Sequence, residues 1–128
     1  MGRVVLVAAL AAVAACASAC RGLEPWQEAE YQNIKAAGLP PVEPKSPVTA
    51  GALNILPGIG DAYNGVWAAF ACNLLLWPLS VIWGIPEAAA TAENINKQET
   101  WSYYYRGDGK PQLEAARGKP ARTAPAGQ

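Results

Sequence analysis

The sequence predicts an all-α chain: a short, hydrophobic, membrane-associated helical hairpin flanked by polar helices and followed by a disordered C-terminal tail. Three observations carry that expectation. Charge is segregated: residues 21–46 hold three basic and four acidic groups, residues 47–86 hold Asp61 alone, and residues 87–128 hold six basic and five acidic groups. Residues 66–85 are uncharged throughout, and as a helix they extend about 30 Å, the thickness of a bilayer's hydrocarbon core. A run rich in glycine and turn formers, Pro57-Gly58-Ile59-Gly60-Asp61-Ala62-Tyr63-Asn64-Gly65, separates that stretch from the shorter apolar arm before it.

Composition removes several function classes. The 128 residues are 52% hydrophobic and 16% charged, with ten basic and ten acidic groups. Net charge is zero and no Lys/Arg stripe exists, so nucleic acid is not an expected partner. Histidine is absent, which excludes imidazole general-base chemistry and histidine metal ligation. Gly58-x-Gly60 lacks the spacing of a dinucleotide fingerprint, and no phosphate loop or Cys-x-x-Cys occurs. Cys72 lies in apolar sequence without an ionisable neighbour to activate it. The expectation is a non-enzymatic chain with no cofactor, no metal site and no catalytic residues.

Residues 1–15 read as a lipoprotein signal peptide. Arg3 supplies its positive start, and residues 4–13 are continuously apolar, shorter than the roughly 20 residues a span requires. Val13-Ala14-Ala15-Cys16 resembles the lipobox of bacterial lipoproteins, with an aliphatic residue, two small residues and the cysteine that is acylated. Cys16 is the expected lipidation site and Cys20, preceded by Ala17-Ser18-Ala19, the alternative. A plain secretory signal cut after Ala15 or Ala19 is the competing reading. Lipidation places the chain in the bacterial cell envelope, with membrane lipid as its partner through palmitate-type acyl chains.

Residues 16–47 comprise the lipidated amino end, a short helix and a spacer. Pro25 suits a first helical position, Glu24 and Glu28 suit the positive helix end, and Gly38 suits the stop. Trp26, Ile34 and Ala37 form a thin apolar stripe. Residues 39–47 contain four prolines, which impose an extended, semi-rigid spacer.

Residues 48–85 form the expected hairpin. Its turn comprises Pro57, Gly58, Gly60, Asp61, Tyr63 and Gly65, with Asp61 expected to cap a helix or close an Asx-turn and a functional intramembrane acid as the alternative. On the second arm, Val66, Ala69, Asn73, Ser80 and Gly84 share a small, polar face, opposite Leu74, Leu75, Val81 and Ile82. Asn73 and Ser80 are therefore packing residues, Asn73 bonding the first arm at Asn54 or near Pro57. Pro78 withdraws the donor to Leu74 and bends the arm. Trp67 and Trp83, about 24 Å apart on a helix, form an interfacial pair.

Residues 86–106 read as a polar helix that starts at Pro86-Glu87 and ends in Trp101-Ser102-Tyr103-Tyr104-Tyr105. Trp101 and Tyr104 are candidate interfacial aromatics; packing against the hairpin's mouth is the plainer expectation. Residues 107–128 are nearly free of large apolar side chains, which predicts disorder. Arg106-Gly107-Asp108 spells an adhesion tripeptide, which a helix-terminating turn also explains.

The central residues Leu56-Pro57-Gly58-Ile59-Gly60-Asp61-Ala62-Tyr63-Asn64-Gly65 and Cys72-Asn73-Leu74-Leu75-Leu76-Trp77-Pro78 resemble the two-transmembrane-helix hairpin domain family, with Gly60, Tyr63, Gly65, Asn73 and Trp83 in the places of its motif. The chain is also similar to small bacterial envelope lipoproteins of unassigned function built around such a core. The first arm is shorter than the family's first span, and Asp61-Ala62 stands where the family carries a basic residue or histidine. The resemblance implies membrane residence and no reaction. The expected role is a small structural or partner-binding component that contacts lipid, an envelope protein or a second copy of itself. The alternative is an oligomerising pore-forming or membrane-perturbing protein.

Overall fold

The computed structural model describes residues 22–118, in which six helices and no strand occur. They are α1 Pro25–Ala36, α2 Pro47–Leu53, α3 Ile59–Asn64, α4 Trp67–Leu75, α5 Val81–Tyr105 and α6 Lys110–Arg117. Cys16 and Cys20 lie outside the described residues.

Helix α5 is the spine, 25 residues long. Helices α1, α2, α3 and α6 pack against it, and α4 packs on α3. Its buried residues include Gly84, Ala88, Ala92, Asn96, Thr100 and Tyr104, one every fourth position. Four residues advance a helix by one turn plus about 40°, so this stripe winds slowly round α5 and meets a different neighbour at each level. Small residues at its start admit α2 and α3 closely. Ala50, Ala88 and Ala92 form one core cluster under Tyr63. Near its end, Ile34, Tyr104 and Leu113 form a second, flanked by Leu39, Tyr103 and Tyr105.

Helix α1 begins and ends where expected. Glu24 and Gln27 form a reciprocal capping box, Pro25 occupies the first turn, and Leu39 N–H closes on the Ile34 carbonyl beyond Gly38. Ile34 is fully buried, while Trp26 stays half exposed and meets Trp101 edge-on at 5.3 Å.

The proline-rich segment is extended and strapped along α5. Thr100 Oγ1 accepts the Val42 N–H at 2.8 Å. Asn96 is paired twice with the Lys45 backbone, accepting from its N–H at 2.9 Å and donating to its carbonyl at 2.6 Å. Tyr104 O–H donates to the Pro40 carbonyl at 2.9 Å. Prolines leave a strap with few N–H groups, so three side chains at fourfold spacing are enough to hold it.

The hydrophobic block departs from the expected two-armed hairpin. Residues 66–85 are not one helix: α4 stops at Leu75, residues 76–80 form hydrogen-bonded turns, and α5 begins at Val81. Pro78 cannot donate to Leu74, the Trp77–Pro78 peptide is cis, and Ser80 Oγ donates to the Asn73 carbonyl at 2.8 Å at the end of α4. The bend expected near Pro78 is thus a break. Among the described residues, no helix is long and apolar enough to cross a membrane.

Two further boundaries shift. The polar helix starts at Val81, before the expected Pro86. Pro86 lies inside α5 and removes only its own bond to Ile82, while Gly84 N–H already closes on Ser80 at 2.7 Å. Within the expected disordered tail, residues 110–117 are helical. Leu113, their one large apolar side chain, is buried against Ile34 and Tyr104, and Arg117 donates to the Tyr105 hydroxyl. The Arg106-Gly107-Asp108 segment is the turn between α5 and α6.

Candidate functional site

Two features coincide at one end of the fold: an exposed apolar surface and a buried polar hub beneath it. The hub is assembled from amides and one acid on α3, α4 and the residue after α2, set against backbone carbonyls of α5. Asn54 Nδ2 donates to the Gly84 carbonyl at 2.6 Å, and its Oδ1 accepts from Gly60 N–H at 3.0 Å. Asn64 Nδ2 donates to the Ala88 carbonyl at 2.8 Å. Asn73 Nδ2 donates to Asp61 Oδ2 at 2.6 Å. The Asn73 amide therefore pairs with Asp61, not with Asn54 or the backbone near Pro57 as the sequence had suggested.

Each residue of the expected turn has a place in this junction. Gly58 and Gly65 flank α3 with φ of 79° and 83°. At Gly65 that conformation lets Val66 N–H reach the Asp61 carbonyl and end α3, a geometry that L side chains resist. Gly60 is required for a different reason: a Cβ there would lie 2.1 Å from the Ala50 carbonyl oxygen. Tyr63 covers the alanine cluster, its hydroxyl accepts from Ser46 N–H, and Lys45 lies 4.7 Å from its ring centre. Pro57 sits half-buried between α2 and α3.

Asp61 is 1% exposed and lies in the first turn of α3 without capping it through its side chain. Burial pushes its carboxyl above the ordinary carboxylate range. The Asn73 amide opposes that rise, the Glu87 carboxylate adds to it, and Asn54 opposes it. A cavity of about 60 Å³ opens beside the hub, lined by Ala69, Cys72, Asn73, Leu76, Trp83 and Glu87. It is far below the ~300 Å³ of an ordinary small-molecule pocket. Cys72, expected to be an inert thiol, is disulfide-bonded. Among the described residues, no group of three or more Cys, Asp or Glu is placed to hold a metal ion.

Above the hub, the outward face is apolar. Leu75 is 82% exposed and Ile82 78%, and Ile55, Leu56, Trp67, Leu74, Leu76, Trp77, Leu79 and Trp83 are also open. Ala69, Asn73, Ser80 and Gly84 face inward. Pro78 lies within this exposed stretch. A contiguous apolar surface of this kind is uncommon on a single chain.

Trp67 and Trp83 belong to this surface, but Trp101 and Tyr104 do not. Both are buried at the far end of α5, at 7% and 1% exposure, so neither is an interfacial anchor. Nor do they pack on the hydrophobic block. Trp101 stacks on Tyr105 at 5.9 Å, lies beneath the Arg106 guanidinium and donates its indole N–H to Glu30, while Tyr104 joins the Ile34 and Leu113 cluster. The reason is α1, which supplies the covering surface that their aromatic faces need. Asn64 in the hub, and Asn96 and Thr100 along the strap, carry roles the sequence reading did not assign them. The signal for Asn96 and Thr100 was the fourfold spacing of Ala88, Ala92, Asn96, Thr100 and Tyr104.

No protein-family model, curated protein or solved structure matches the chain.

Proposed function

We propose that this chain is a non-enzymatic lipoprotein of the bacterial cell envelope, anchored through acylated Cys16, whose apolar end seats in one leaflet of the membrane. The carrying observation is the uncharged apolar face formed by α4, the turns after it and the start of α5. Exposed tryptophans suit the boundary between headgroups and hydrocarbon, and Trp67, Trp77 and Trp83 supply them. With no described helix long enough to cross, insertion to partial depth fits the face better than a span. The lipobox-like residues at Cys16 and the resemblance to two-helix hairpin domains support the same residence. The strap and the α1–α6 end then project from the membrane as a small structural or partner-binding unit.

Labelling cells with a palmitate analogue tests the anchor. The wild-type chain is expected to incorporate label and fractionate with membranes. Cys16→Ser should lose the label, whereas Cys20→Ser should keep it. Label lost only with Cys20→Ser would move the anchor to that residue. Vesicle dye release with self-association would favour the pore-forming alternative.

A further inference from the structure

The donor and acceptor census at the hub does not balance. Asp61 Oδ1 and Asn64 Oδ1 are both buried and, among the described residues, neither has a hydrogen-bond donor. Asn64 is 7% exposed and Asp61 1%, so bulk water reaches neither well. The two residues lie three apart on α3, the spacing that makes side chains neighbours on a helix. Two adjacent buried acceptors with nothing to accept require a proton, a water or a cation between them.

The neighbours favour the proton. Asp61 Oδ2 already takes the Asn73 amide, leaving Oδ1 as the open oxygen. The elements packed on α3 bring no positive charge to it. Helix α2 contributes no ionisable group, and Asn54 beyond it is neutral. Helix α4 contributes Asn73 and the disulfide-bonded Cys72. Helix α5 contributes Glu87, whose charge disfavours a second carboxylate. On α3 itself Tyr63 holds its hydroxyl at Ser46. The nearby cation, Lys45, is turned to the Tyr63 carbonyl at 2.7 Å and to its ring.

We propose that Asp61 is a proton-binding site: the folded chain holds its carboxyl as the neutral acid, with Oδ1 donating toward Asn64 Oδ1. One proton then satisfies both orphaned oxygens, and the apolar end carries no net charge at its centre. Burial raises the affinity of Asp61 for that proton. The sign follows. The folded state binds the proton more tightly than the unfolded chain, whose carboxyl has the ordinary value of 3.8. Stability from this group is therefore full below that value and declines as pH rises toward the folded value. Deprotonation places a charge against Asn64 and Glu87 and loosens α3, so the junction weakens as pH rises above 3.8.

The chain contains two aspartates, Asp61 and Asp108. Carbon-13 labelling of aspartate carboxyls in the full Asp108→Asn chain leaves Asp61 as the single signal. The expected spectrum keeps the neutral acid at pH values where an ordinary aspartate, at 3.8, is already carboxylate. Asp61→Asn, which supplies a permanent donor, should melt at least about 4–8 °C above wild type where Asp61 is ionised, the gap closing below pH 3.8. A titration midpoint at or below the ordinary 3.8 overturns the proposal. It does so whether the melting temperature depends on sodium or potassium, which would indicate a bound cation, or is indifferent to them, which would indicate a water. The carbon-13 reading stands if Asp61→Asn fails to fold.

Discussion

Gly60→Ala is expected to destabilise the chain by about 2–4 kcal/mol, because there is no space for one added methyl. The new Cβ would lie 2.1 Å from the Ala50 carbonyl oxygen, 2.9 Å from Asn54 Cβ and 3.0 Å from Ala88 Cβ. The first contact is with backbone, so relief requires α3 to move off α2 and α5 together. That movement also strains the Gly60 N–H bond to Asn54, which in turn holds the Gly84 carbonyl. Gly118→Ala is the control: its Cβ meets nothing closer than 3.6 Å, and its stability should stay within about 0.5 kcal/mol of wild type. Denaturant melts of both variants check the difference.

Asn96→Ala should cost about 2–3 kcal/mol by a different route. It removes both bonds to Lys45 and leaves a backbone N–H and carbonyl of the strap without their partner. The loss is local before it is global. Hydrogen exchange should show reduced protection at the Lys45 amide, and at the Val42 amide that depends on Thr100 one turn along. Asn96→Asp keeps an acceptor for the Lys45 N–H but has no donor for its carbonyl, so it should recover only part of the loss. Unchanged exchange at Lys45 in Asn96→Ala would show that the strap is held by Thr100 and Tyr104 alone.

The helical class and α1 were legible because local chemistry decides them. Glu24, Pro25 and Gly38 mark the ends of α1 whatever surrounds it. The extended character of residues 39–47 follows from proline, but its docking does not, since that depends on Asn96, Thr100 and Tyr104, about fifty to sixty residues away. The hydrophobic block misled for a physical reason. Hydropathy sums side chains over a window and does not register that Pro78 and Ser80 divide residues 66–85 into two helices. The tail misled in the opposite direction. One leucine, Leu113, holds α6 because Ile34 and Tyr104 offer it a ready cleft, and no periodic signal announces a single contact.

The candidate site was half visible. Asn73 and Asp61 stood out as polar groups in an apolar block, yet their pairing joins α4 to α3 rather than two long arms to each other. Asn64 looked like one more turn residue. Its buried bond to the Ala88 carbonyl shows it tying α3 to the spine. Trp101 and Tyr104 resembled membrane anchors because an aromatic cluster next to arginine suits an interface equally well. Helix α1 decides the matter by covering them.

The proposed lipid contact at the apolar end of this fold can be separated from the acyl anchor. Flotation of the Cys16→Ser chain with lipid vesicles tests it most directly, since acylation is then removed from the balance. The chain should float with the vesicles, and the pair Leu75→Glu and Ile82→Glu, both exposed in the fold, should abolish flotation while leaving the helical spectrum intact. A Cys16→Ser chain that stays monomeric in the aqueous fraction without detergent, with those two side chains still exposed, would contradict it.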